Sequence, residues 1–174
     1  MKNLLIWVFL LQCANLQAQN WQPYVDTTAG LTLKFPPDWE QKTDANGRIF
    51  FTSPLDNKSD DFRDNINIGY KYNEAYVSMK ILTPAFEALP VQLQKNFSEY
   101  KVEKEGYFKL NGIDAYEIIY TGKMKEKADQ TLRFIQWFIV HDLKLYTITF
   151  TAEADDKSMT PTALNIMRGI TFKQ

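Results

Sequence analysis

Ile113-Asp114-Ala115-Tyr116-Glu117-Ile118-Ile119-Tyr120-Thr121-Gly122, together with the run from Leu132 to Thr151, is the stretch on which the fold turns. Both runs are rich in β-branched and aromatic residues and are separated only by short, charged or turn-forming linkers, the pattern of antiparallel strands in a meander. Upstream, Val102 to Phe108 joins the first run through Asn111-Gly112, a dipeptide that accepts the positive φ angles of a tight hairpin turn. The strand from Leu132 places Leu132, Phe134, Phe138 and Val140 on one face and Ile135, Trp137 and Ile139 on the other. A strand apolar on both faces must be central and covered on both sides. His141-Asp142-Leu143-Lys144 is its turn and Leu145 to Thr151 its return partner.

Further out, Leu31 to Phe35 alternates apolar and polar residues and is stopped by Pro36-Pro37-Asp38-Trp39, a strand ending in a rigid turn. Asn46-Gly47 leads into Arg48 to Ser53 as a hairpin closed by Pro54. After an aperiodic segment over 56–64, Ile66, Ile68, Tyr70 and Tyr72 alternate with polar residues as a strand with one wet face. The period then changes: Phe86, Leu89, Leu93 and Phe97 share one helical face, with Thr83 and Pro84 as cap and first position. Pro90 means that this helix either kinks there or begins at Leu89-Pro90. Thr160-Pro161, Leu164, Met167 and Gly169 outline a second, short helix. The sum is an α+β domain, a twisted antiparallel sheet of about six or seven strands flanked by helices on both faces, the helical segments being 75–98 and 160–168.

Met1-Lys2-Asn3, the apolar run from Leu4 to Leu11 and the small and polar residues at 14–20 form a basic, a hydrophobic and a cleavage region, as in a secretory signal. The apolar run falls far short of the roughly 20 residues that span a bilayer. Cleavage is expected after Ala18, leaving residues 19–174 as one domain in the periplasm or outside the cell. Leu10-Leu11-Gln12-Cys13 resembles a lipoprotein box, but Gln12 stands where such boxes carry a small residue, which argues against a lipid anchor at Cys13. Cys13 is the only cysteine, so its loss with the signal removes disulfides, thiolate nucleophiles and zinc-thiolate sites together. The formal charge of −1 is built from interspersed acids and bases, which gives no footprint for nucleic acid.

Few residues offer chemistry. His141 is the only histidine, and Asp142 beside it points to the opposite side of a strand, so no dyad forms. Asp56, Asp60, Asp61 and Asp64 could supply oxygens to calcium, yet their spacing departs from the EF-hand pattern, and Lys58 and Arg63 sit among them. Glu153, Asp155 and Asp156 are a second acidic run. Ser98-Glu99-Tyr100-Lys101 has the serine-x-x-lysine spacing without its partner motifs. Asn57-Lys58-Ser59 and Asn96-Phe97-Ser98 are glycosylation sequons only in a eukaryotic source. No cofactor is indicated.

The order Gly30-Leu31 to Phe35-Pro36, then Trp39, a polar loop, a strand, a helix, an Asn-Gly hairpin leading to Tyr120-Thr121-Gly122, Tyr146 to Ala152 and a last short helix resembles the PsbP-like and DcrB-like group of proteins. That group includes the PsbP extrinsic protein of photosystem II, periplasmic DcrB-type lipoproteins of bacteria and a eukaryotic nuclear-import factor that binds Ran. The resemblance covers the whole mature chain. It implies a domain used for docking onto larger assemblies rather than for chemistry, although fold alone does not assign function.

The function expected is therefore that of a non-enzymatic binding or adaptor module on an envelope protein assembly. Docking would use loops near 36–40, 54–64 and 122–130, with Trp39, Tyr70 and Tyr72 as anchors and Lys123 and Lys125 as a basic tip facing an acidic patch. One alternative is a carrier of a small apolar ligand, in a cavity lined by Tyr70, Tyr72, Phe134 and Tyr146, or of a metal ion. A hydrolase, which would need acid, base and nucleophile gathered around His141, is the other.

Overall fold

The computed structural model describes residues 20–55, 62–125 and 130–173. In chain order the elements are β1 (Gln22–Asp26), β2 (Leu31–Phe35), β3 (Glu40–Thr43), β4 (Ile49–Thr52), β5 (Asn65–Tyr72), α1 (Thr83–Gln94), β6 (Phe97–Leu110), β7 (Ile113–Met124), β8 (Thr131–His141), β9 (Lys144–Glu153), α2 (Thr160–Arg168) and β10 (Thr171–Phe172). They form two antiparallel sheets, one of seven strands in the order β3-β4-β5-β9-β8-β7-β6 and one of three in the order β1-β2-β10.

The expected meander is present. At the β6–β7 turn Asn111 and Gly112 carry φ angles of 49° and 87°, and both residues being left-handed makes the turn that matches strand twist. The β8–β9 turn does the same with Asp142 and Leu143, at φ 46° and 60°. Residue alternation in β8 divides the core. Ile135, Trp137 and Ile139 enter one apolar cluster with Ile66, Ile68, Tyr146, Ile148, β2 and α2. Leu132 and Phe134 enter a second cluster with Tyr116, Ile118, Tyr120 and residues of α1. Each fully buried Ile or Phe contributes about 1.5–3 kcal/mol, so the two-sided strand anchors both halves.

Three expectations are corrected. The single sheet expected is two: β2 lies outside the large sheet and pairs with β1 and β10. Part of the cover over the large sheet is thus a second sheet, with Leu31, Leu33 and Phe35 facing the core. Phe97 is not on the helix. α1 ends at Gln94 and Phe97 opens β6, where its ring meets Tyr120 and Phe134 at 5.7 and 5.5 Å. The apolar period therefore identified the right cluster but not the element that supplies the ring. α1 runs through Pro90, which leaves the Phe86 carbonyl without its helical donor. The N-cap residues are Leu82 and Met159, neither with a side-chain bond, and Thr83 Oγ lies 3.0 Å from the Tyr107 hydroxyl instead.

Gly122 is required by a close approach. A Cβ there would lie 2.5 Å from Phe97 Cδ1 and 2.7 Å from the Glu99 carbonyl oxygen. Gly122→Ala is expected to lower stability by about 1–3 kcal/mol, measured by urea unfolding, with the loss reduced when Phe97 is shortened to Leu in the same chain.

Candidate binding surface

The end of the large sheet where β5 finishes and β9 begins gathers most of the unusual side chains. Register places Tyr70 opposite Tyr146 and Tyr72 opposite Lys144. Lys144 is 9% exposed, although a buried ammonium needs partners. Its Nζ donates to the carbonyl oxygens of Thr28 at 2.8 Å and Ala29 at 3.0 Å, and it lies 5.2 and 5.5 Å from the ring centres of Tyr70 and Tyr72. Within about 6 Å such rings attract a cation. The Tyr146 hydroxyl donates to the same Ala29 oxygen at 2.6 Å.

The receiving turn is shaped by Asp26, whose Oδ1 accepts from the backbone N–H of Thr28 and Ala29 at 2.9 and 2.7 Å. Gly30 completes it at φ 75°, and a Cβ there would sit 3.5 Å from Lys144 Nζ. The small sheet is thus clasped to the large one by a lysine and a tyrosine reaching into one turn. Burial of the Tyr146 hydroxyl, with the Asp142 charge adding to it, pushes its pKa from 10.0 up to about 12. Burial also raises Tyr120, and raises Tyr116 together with its bond to Glu105.

Around this clasp lies an exposed apolar rim. Tyr72 is 64% exposed, Tyr76 77% and Leu143 36%. The Asn73 N–H donates to the Leu143 carbonyl at 2.8 Å, which pins the chain after β5 to the β8–β9 turn. Tyr76, Met79, Ile113, His141 and Asp142 line an adjoining recess of about 340 Å³. Leucine in the left-handed region costs roughly 1–2 kcal/mol, so Leu143 is held there by the two-residue turn.

The residues singled out from the sequence divide sharply. Tyr70 and Tyr72 meet at this end. Trp39 is 5% exposed and belongs to the large apolar cluster, so its ring packs the interior instead of presenting a surface. Lys123 pairs in register with Thr131, at the opposite end of the strands from His141 and Lys144, a separation of roughly 30 Å along β8. It is ion-paired to Glu99 at 3.0 Å, and Lys125 N–H donates to the Asn96 carbonyl at 3.3 Å. The basic tip is therefore no part of the aromatic end. Residues 126–129 lie outside the described residues.

The cavity expected between Tyr70, Tyr72, Phe134 and Tyr146 does not form, because Phe134 belongs to the second cluster and Tyr146 to the first, on opposite faces of the sheet. Asp56, Asp60 and Asp61 lie outside the described residues, and Asp64 is buried at the head of β5. Among the described residues no three His, Cys, Asp or Glu side chains are grouped to hold a metal. His141 Nε2 is 2.9 Å from the Lys173 carbonyl oxygen and its ring is 5.4 Å from Phe172. Ser98 Oγ donates to the Lys123 carbonyl at 3.3 Å. Among the described residues no helix is long and apolar enough to cross a membrane. Lys144 was missed as a candidate because a lysine after a turn reads as solvated; the tyrosines at 70, 72 and 146 were its only signal.

Residues 13–166 match the sequence profile of the PsbP-like protein family. No curated protein matches the chain in sequence. Among solved structures, the chain is similar to cyanobacterial PsbP from Synechocystis, at TM-score 0.62 and 12% identity over 94% of this chain and 98% of that one. It is also similar to the Ran-binding protein Mog1p of Saccharomyces cerevisiae, at 0.57 and 10% over 89% and 96%. LpqN of Mycobacterium tuberculosis, involved in cell envelope biogenesis, matches at 0.55 and 16% over 91% and 88%. At these identities the likeness is one of fold.

Two measurements check the clasp. Lys144→Met is expected to cost about 1–3 kcal/mol in urea unfolding, because the Thr28 carbonyl loses its lysine donor. A phenol whose pKa is raised by folding binds its proton more tightly in the folded state, so Tyr146 contributes fully below pH 10.0 and its contribution is withdrawn as pH rises toward about 12. Tyrosine absorbance and circular dichroism followed together against pH should show late tyrosine ionisation coinciding with unfolding.

Proposed function

The chain belongs to the PsbP-like protein family, and on that footing we propose that it is a non-enzymatic binding module of the cell envelope, periplasmic or secreted, docking through its aromatic end onto an envelope protein. The observation that carries this reading is the grouping of Tyr72, Tyr76 and Leu143, all exposed, on backbone pinned by the Lys144 clasp and the Asn73–Leu143 bond. Tyrosines of this kind serve as interface anchors, and a preformed backbone spends little entropy on binding. The strained exposed leucine adds support, since strain in a turn points toward function.

The layering is read the same way. α1 and α2 contribute to different apolar clusters, which supports a helix on each face of the large sheet. The leader-like sequence at residues 1–18 supports export, and LpqN supplies an envelope precedent for the fold. Trp39, Lys123 and Lys125 have no part in this docking end.

Crosslinking the purified protein into an envelope fraction of its host, beside a Tyr72→Ser/Tyr76→Ser variant, tests the proposal. A discrete partner lost in the variant at unchanged thermal stability is the expected result. A partner retained at full yield, or none with either protein, overturns it. Leu143→Gly should raise stability by about 1 kcal/mol as the left-handed penalty disappears, while weakening the same capture.

A further inference from the structure

The two faces of the large sheet are finished differently. On the face that carries Phe134 and Phe138, the β6–β8 half is apolar and packs against α1, whereas the β4–β5–β9 half mixes Phe50 and Leu145 with a central run of polar residues. There Asn67, Gly69, Thr147 and Thr149 form the floor of a cleft of about 480 Å³, with Arg48 and Lys71 at its margin and Gln136 at its inner end. Register sets Asn67 against Thr149 and Gly69 against Thr147, so hydroxyl, amide and glycine alternate across one pair of strands.

Charge and shape give this cleft a ligand preference. Its lining carries two cations and no carboxylate. Neither Arg48 nor Lys71 takes part in any of the ion pairs among the described residues. The nearby turn carboxylate, Asp44, accepts from the backbone N–H groups of Asn46 and Arg48 at 2.9 Å each. Gly69 has no side chain to fill the floor, and Arg48 Nε would lie 3.9 Å from a Cβ there, so the guanidinium lies across open strand backbone. Finally, Gln136 Nε2 donates to Thr149 Oγ at 3.0 Å, while its Oε1 is buried without a partner among the described residues.

We propose that this cleft is a binding site for a small oxyanion-bearing molecule, a carboxylate or phosphate. The guanidinium fork of Arg48 matches two oxygens of a planar or tetrahedral anion, and Lys71 adds a mobile point charge. Thr147 and Asn67 supply neutral donors. The volume lies within the range of small-molecule sites. This site goes beyond the docking end: its side chains occupy the other face of β5 and β9 from Tyr70, Tyr72 and Lys144.

The test is an amide NMR titration of the purified protein with inorganic phosphate and, separately, with succinate, each against potassium chloride at equal ionic strength. Saturable shifts at Asn67, Gly69, Lys71, Thr147 and the Gln136 side-chain amide are expected, with affinity at least about tenfold weaker in Arg48→Gln/Lys71→Gln. The tighter of the two probes identifies the anion class. Both substituted residues are exposed, so the fold is retained, and Tyr72 and Tyr76 are untouched, which keeps the outcome separate from the docking experiment. Absence of saturable shifts with either probe, shifts reproduced by chloride, or equal affinity in the double variant would each overturn the assignment.

Discussion

The interaction on which the architecture depends is the insertion of Lys144 and Tyr146 into the turn at Asp26 to Gly30. Apolar contact between the two sheets is strong but lacks direction, and the bonds of Asn111 and His141 to the backbone around β10 act only at the far edge of the small sheet. Two ammonium N–H groups and one phenol converge on the Thr28 and Ala29 carbonyls, and hydrogen bonds at such distances demand one relative placement of the two sheets. Burying the ammonium is tolerable because its donors are spent on carbonyls and its remaining surface meets tyrosine rings. The same arrangement immobilises the strand ends from which Tyr72 and Leu143 project.

A second constraint is the asymmetry of the large sheet. β8 is apolar on both faces, but its neighbours are not: β9 carries Thr147, Thr149 and Thr151 on the face that bears Phe134 and Phe138 of β8. One helix suffices to cover the apolar half of that face. The polar half has its backbone groups paired within the sheet and needs no cover. A hydroxyl-rich sheet surface beside an apolar one, with no helix over it among the described residues, is thus a direct consequence of which residues alternate in β5 and β9.

The sequence was informative wherever a signal is local. Asn111-Gly112 marked a hairpin that forms, the doubly apolar β8 proved central, and Pro36-Pro37 ended β2. It was misleading where a contact is distant. β2 has the same alternation whether it joins the large sheet or starts a second one, and β1 has too little apolar character for its pairing to be read. Phe97 fits a helical period because helix and strand happen to deliver it to the same cluster. Trp39 reads as an exposed anchor in a proline turn, yet its ring lies in the interior. Lys144 reads as a solvated turn residue, yet it is buried against two carbonyls and two tyrosine rings.

Alternation, turn chemistry and apolar content are properties of neighbouring residues, and they determined by themselves the strands of the meander, the tight turns and the central position of β8. What needed the tertiary structure was every feature built across large separations: the second sheet closed by β10 on β2, the clasp between residues 144–146 and 28–29, the exposed end formed by Tyr72, Tyr76 and Leu143, and the cleft between Arg48 and Gln136. These join segments whose local patterns are compatible with many partners, and the choice among them is made by the packing of the whole domain.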